Sequence, residues 1–276
     1  MNRFFLVAAL VLLVGVPASA GVVYESEVTD HEHSPGKTES IQTLVEGRRL
    51  KVGTAPGGRS SKSEMIYHGD RREMVVVDHA RKSYFVMDRE QIAAMASQVG
   101  EAMAQVDEVL KNVPEGQRAM VEKMMKQPMP QQVPKKPETD LRKTGERATH
   151  NGYPCLKYEL WKDGRKDREL WVTDWKNVEG SDEVVALFVE LGEFVRQMTD
   201  AFGTTGGKSG APGGTGDNVF QHIKELKGFP VLTREFGDDG SLTGESILRS
   251  AKRQSLDPAA FEPPSGYKRQ EMPGRR

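Results

Sequence analysis

The sequence predicts an α+β fold: one curved antiparallel sheet with helices packed over its concave face. Three observations carry that expectation. Short β-branched and aromatic runs bounded by turn residues recur between Val22 and Met87, between Asp140 and Thr173, and between Val231 and Ala251. Two stretches with apolar residues at helical spacing, about 88–126 and Ser181 to Phe202, fall between them. The resulting order is strands, helices, strands, helix, strands, which suits hairpins with segregated helices better than a parallel sheet.

At the N-terminus, a basic start at Arg3, an apolar stretch from Phe4 to Val16 and the small residues Ala18-Ser19-Ala20 read as a signal peptide cleaved after Ala20. The apolar stretch is shorter than the roughly 20 residues that a membrane span needs. The remaining residues 21–276 are expected to form a single domain, exported to the periplasm or secreted, with no transmembrane segment. Cys155 is the only cysteine, so no internal disulfide is available and burial must hold the fold. Charged residues make up 29% of the chain at a net charge of -1, with no basic stripe, which argues against nucleic acid as a partner.

The first strand group is expected at Val22–Thr29, Thr38–Glu46, Arg48–Gly53, Ser63–His68, Glu73–Asp78 and Lys82–Met87, with turns at Ser34-Pro35-Gly36, Gly47, Pro56-Gly57-Gly58 and Gly69-Asp70. In "MVVVDHARKSYFVMD" Val75, Val76 and Val77 are set opposite Tyr84, Phe85 and Val86. Both faces of that pair are apolar, so each needs a second layer, or a cavity on one side. Asp88 is placed to cap a helical insertion at about 88–126 in which Ile92, Met95, Val99, Met103, Val106, Leu110 and Val113 recur. A Pro-rich connector, 127–138, follows.

Strands resume at Asp140–Thr149, Pro154–Lys162 and Lys166–Thr173. Asn151-Gly152 and Asp163-Gly164 are hairpin signals. A helix over Ser181–Phe202 buries Val184, Leu187, Phe188, Leu191, Phe194, Val195 and Met198. The Gly-rich stretch 203–217 reads as a flexible loop, and Val231–Phe236 pairs with Leu242–Ala251.

Three segments, "MVVVDHARKSYFVMD", "HNGYPCLKYELWKDGRKDRELWVTDW" and "GFPVLTREF…LDPAAFEPPSGYK", resemble a family of exported bacterial proteins, domain-of-unknown-function family 4412 (DUF4412). The resemblance spans roughly Val22 to Met272 and implies a fold like that of the lipoprotein carrier LolA. That fold is an unclosed β-barrel with helices over an apolar concavity. In carriers of that shape the cavity holds acyl chains. No binding residue is carried over, because the matching motifs are structural.

The chemical candidates are few. Asp78-His79 reads as a hairpin turn rather than a catalytic fragment, since neither a nucleophile nor an oxyanion donor accompanies it. His31 and His33 stand two apart, but His68, His79, His150 and His222 are scattered, so no zinc set is visible. "GTTGGKS" fails as a phosphate-binding loop because Phe202 occupies the position of its first glycine. Met120, Met124, Met125 and Met129, with Met95 and Met103, suit an adaptable packing surface better than a Cu(I) site. Trp161, Trp171, Trp175, Tyr153 and Tyr158 could face a sugar or lipid, although large aromatics are chiefly core fillers, and Cys155 reads as a buried thiol.

No catalytic residue, metal or cofactor is therefore expected. The leading expectation is a carrier of a hydrophobic small molecule or lipid-modified protein. Its cavity would be lined by Met95, Val99, Met103 and Val106 from the first helical stretch, Leu187, Leu191 and Phe194 from the second, and Trp161 and Trp171 from the strands. The alternative is a non-catalytic envelope module for protein interaction or structure. A third reading is periplasmic copper handling through the methionines.

Overall fold

The computed structural model describes residues 20–55, 63–94, 138–202 and 225–271, with positions 97, 101 and 222. Its first six strands are β1 Ala20–Asp30, β2 Lys37–Glu46, β3 Arg49–Thr54, β4 Ser63–His68, β5 Glu73–Asp78 and β6 Ser83–Met87. After them come β7 Thr139–His150, β8 Tyr153–Lys162, β9 Arg165–Thr173, α1 Ser181–Phe202, β10 Phe229–Phe236, β11 Leu242–Ser255 and the two-residue β12 Lys268–Arg269. All these strands belong to one sheet in the order β12-β6-β5-β4-β3-β2-β1-β11-β10-β9-β8-β7. Every pairing is antiparallel except β12 with β6. The sheet is unclosed, with β12 at one edge and β7 at the other.

The turns follow the expected chemistry. Asn151-Gly152 and Asp163-Gly164 both have positive φ at their two central positions, 46° and 83°, then 49° and 78°, the signature of type I′ hairpins. Across the opening hairpin Val75 faces Val86, Val76 faces Phe85 and Val77 faces Tyr84. Two turns close without glycine in the left-handed position, on Arg72 and Lys82. Register shifts interrupt β1–β11, β9–β10, β10–β11, β7–β8 and β8–β9, whereas the ladders from β1 to β6 run without one. Bulges raise local twist and bend strands, so the bending devices sit in the second half of the sheet.

Side chains alternate between two apolar layers. Val22, Tyr24, Val45, Leu50, Met65, Tyr67 and Met74 meet α1 through Val184, Leu187, Leu191 and Phe194. On the opposite face Val23, Ile66, Val75, Val77 and Val86 meet Leu256 and Phe261, with Tyr267 against them. That second cover is not helical beyond the short 3-10 turn Pro258–Phe261, and it belongs to the C-terminal stretch. Leu226 covers a smaller patch of the same face made by Tyr158, Leu170 and Val172.

Asp88 caps the first helical stretch as expected. Its Oδ1 accepts from the Gln91 N–H at 2.8 Å and its carbonyl from the Ile92 N–H at 3.0 Å, and residues 89–94 are helical. The rest of that stretch, apart from isolated positions, lies outside the described residues, as do the connector to 137 and the Gly-rich stretch 203–217. No helix among the described residues is long and apolar enough to cross a membrane.

Candidate functional site

The first candidate region is the sheet face beneath α1. Gly180, at φ +68°, starts the helix so close to β1 that a Cβ there would lie 2.2 Å from Val22 Cγ2. The Ser181 hydroxyl donates to the Trp175 carbonyl at 2.6 Å, and Asp182 and Glu183 favour the positive end of the helix dipole. Arg253 of β11 donates to Glu179 and Glu183 at 2.8 and 2.7 Å, while Arg48 pairs with Glu190 and, at 3.1 Å, with Asp70. Leu187, Leu191 and Phe194 are 3%, 2% and 5% exposed and pack on the sheet, Phe194 against Tyr67 with ring centroids 5.6 Å apart. These three expected cavity residues therefore spend their surface on the chain's own core. Met95, Val99, Met103 and Val106 lie outside the described residues, as do Met120, Met124, Met125 and Met129.

Trp171 and Trp161 part company although both were expected to line one cavity. Trp171 is buried in the core layer beside Cys155, and the His150 ring meets its indole edge-on at 4.6 Å. Trp161 lies beyond a register shift in β8. There it is half-buried, its Nε1 donates to Glu159 at 3.1 Å and the Arg142 guanidinium stacks on it at 4.4 Å. Burial pushes the Cys155 thiol up, and its Sγ donates to the Tyr153 carbonyl at 3.3 Å, as suits an inert packing thiol.

Between these tryptophans the sheet carries charge. Lys157 Nζ stands 2.9 Å from Glu146, 3.5 Å from Glu169 and 3.8 Å from Glu159, and Lys166 donates to Glu169 at 2.7 Å. Although burial opposes ionisation of Glu169, the hydrogen bond from Lys166 and the nearby Lys157 hold its carboxyl below the ordinary range. This ladder leads to β7, the outer strand, most of whose residues are exposed. Thr144, Gly145 and Glu146 form its bulge, with Gly145 at φ +86° and the Thr144 hydroxyl donating to the Lys157 carbonyl at 3.2 Å. Among the described residues β7 pairs only with β8, and no ion pair engages Lys143 or Arg147.

The Asp78-His79 pair takes separate partners. Asp78 Oδ1 accepts from the Arg81 N–H at 3.0 Å, which closes the turn. His79 Nδ1 shares a 2.9 Å hydrogen bond with the Tyr267 hydroxyl, and its Nε2 lies 3.3 Å from Glu64. His79 thus ties the hairpin to the C-terminal stretch, a role that sequence reading of the turn did not reach. His31 and His33 sit exposed after β1, where Asp30 Oδ1 accepts from the Glu32 and His33 backbone N–H groups at 2.9 and 2.8 Å. Among the described residues no group of three or more His, Cys, Asp or Glu gathers as a metal set.

Two further features escaped the sequence reading. His68 is buried beside the Phe261 backbone, where burial and the neighbouring Arg71 hold its imidazole below the usual range. Trp171 Nε1 and His150 Nε2 are buried without hydrogen-bond partners among the described residues. Neither feature has a sequence signature, because strands distant along the chain create both.

No protein-family model and no curated protein matches the sequence. Among solved structures the chain is similar to an uncharacterized conserved protein from Thermus thermophilus, at 8% identity and TM-score 0.44, over 91% of this chain and 90% of that one. It is similar to PNGF-II at 9% identity and TM-score 0.40, over 92% of this chain and 31% of that one. It is also similar to a chain of the Pseudomonas aeruginosa MucA/MucB complex at 7% identity and TM-score 0.37, over 89% of this chain and 56% of that one. The chain thus spans less than two thirds of the latter two, and likeness at this level carries neither a fold family nor a function.

Proposed function

We propose that this protein is a non-catalytic binding module of the bacterial cell envelope that takes an extended segment of a partner protein along β7. The observation that carries this reading is the asymmetry of the two sheet edges. The C-terminal stretch returns to pair β12 with β6, with Lys268 and Gln270 N–H groups donating to the Lys82 and Tyr84 carbonyls at 3.0 and 2.8 Å. The twelve-residue β7 has no such cover among the described residues. An open edge offers a row of backbone donors and acceptors, and adding a strand is a recurrent mode of peptide recognition. The bulge and the charges of β7 discourage indiscriminate pairing, so a partner strand is selected by charge. Lys143 and Arg147 call for acidic side chains.

The unclosed sheet with α1 packed on one face supports a half-barrel of the LolA kind. Carriage of an acyl chain beneath α1 is the weaker reading, because Leu187, Leu191 and Phe194 already pack on the sheet. A photo-crosslinking residue placed at Lys143 in the exported protein, in its own cells, is expected to capture one protein. The same probe at Asp239, in the exposed β10–β11 turn, captures nothing, and Arg147→Glu weakens the adduct. Identical adducts at both sites, or none at Lys143, would overturn the proposal.

A further inference from the structure

The hydrogen-bond phase of β7 fixes which of its residues an added strand meets. At the start of β7 the Asp163 N–H donates to the Glu138 carbonyl at 2.9 Å, and alternate residues of an antiparallel strand turn their backbone groups to opposite sides. Glu138, Asp140 and Arg142 therefore bond toward β8, while Thr139, Leu141 and Lys143 turn their N–H and C=O groups outward. At the other end the two-residue type I′ turn makes His150 and Tyr153 the hydrogen-bonded pair, so Ala148 bonds inward and Arg147 and Thr149 outward. The outward residues also share a face. Leu141 packs with Tyr158, Leu170, Val172 and Leu226, and Lys143 stands opposite Tyr158 and Arg147 opposite Leu156, both of that same cluster. Directly opposed residues project to the same side of a sheet, so Leu141, Lys143 and Arg147 all lie on the face away from α1.

We infer that the partner segment pairs antiparallel to β7 and carries, from its N- to its C-terminus, the order acidic-x-acidic-x-apolar. The two acids oppose Arg147 and then Lys143, and the apolar residue opposes Leu141. This inference rests on the open β7 edge proposed above. Three residues separate Lys143 from Arg147, but β8 covers the same interval from Tyr158 to Leu156, and the bulge takes up the difference. The two cations thus stand one alternate step apart, about 7 Å along the strand. Among the described residues no ion pair engages either of them, and Glu146 of the bulge is taken by Lys157 at 2.9 Å. The x positions fall on the α1 side, where Arg142 is already bonded to Asp140 at 2.7 Å and stacked on Trp161, so they call for no charge. The antiparallel direction continues the pairing of β7 with β8 and β8 with β9.

Immobilised threonine-rich peptides of one composition and different order test this with the full-length protein. One carries the inferred order, one sets its two acids side by side and so on opposite faces, and one reverses the order. The inferred order is expected to bind about fivefold tighter than either control, the worth of one matched cross-strand charge pair. Lys143→Glu combined with Arg147→Glu, both on the exposed edge, should move the preference to the same peptide with lysines in place of its acids. Equal binding of the three peptides, preference for the reversed order, or no binding at all overturns the inference. Capture of a partner at Lys143 together with equal peptide binding would leave the open edge standing; failure of both would end that reading as well.

Discussion

Replacing Leu191 by alanine distinguishes a helix that fills its sheet from one that roofs a hollow. Leu191 is 2% exposed, between Leu187 and Phe194 on the face of α1 that meets Tyr67 and Val45. Truncation removes three carbons, roughly 2.4 kcal/mol at about 0.8 kcal/mol per methylene. The incompletely closed cavity adds to this, for a total of about 3–4 kcal/mol. For a chain of this size that lowers the midpoint of thermal unfolding by about 8–12 °C. The assay is urea and thermal unfolding by circular dichroism, with exposed Gln197→Ala, expected within about 0.5 kcal/mol of the parent, as control. A loss below about 1 kcal/mol for Leu191→Ala would refute the reasoning, since a side chain facing open space loses few contacts when shortened.

Gly180→Ala brings a Cβ against Val22 at a positive φ, and a loss of about 2–3 kcal/mol with an earlier onset of α1 melting is expected in the same unfolding assay. Phe261→Ala should cost about 3–5 kcal/mol, because the ring is fully buried over Ile66 and Val75, and should make the C-terminal stretch sensitive to limited proteolysis. His68 and His150 are both held below the ordinary 6.5, so the folded state binds fewer protons than the unfolded state as pH falls past that value. Their contribution is intact above about pH 6.5 and declines below it toward the folded values. His68→Asn should flatten the fall of unfolding midpoint between about pH 7 and pH 5.

Much of the strand order was legible because its signals are local. The Val75 to Val77 run against Tyr84 to Val86, and the Asn-Gly and Asp-Gly turns, need only neighbours in the chain to take effect. The extent of α1 was equally readable from Val184, Leu187, Leu191 and Phe194 at helical spacing. What was not legible depends on contacts made at a distance. β12 is two residues long and carries no periodicity; only its return to β6 makes it a strand. The turns after Gly69 and Asp78 were read, but not that Arg72 and Lys82 take their left-handed positions, which glycine would have advertised. Trp161 and Trp171 looked equivalent in sequence, but the shift after Leu160 aims one at Arg142 and leaves the other in the core. The His150–Trp171 contact joins β7 to β9, which are not neighbours in the sheet, so no spacing rule could announce it.

Hydrogen exchange of the protein, read by mass spectrometry over residues 139–150, tests most directly whether β7 is an open edge. The outward amides of β7 should exchange far faster than those of β1 and β11, which are paired on both sides, and should slow when the crosslinked partner is bound. Protection of β7 equal to that of β11 in the isolated protein would contradict the account, because the edge would then already be covered by the chain itself.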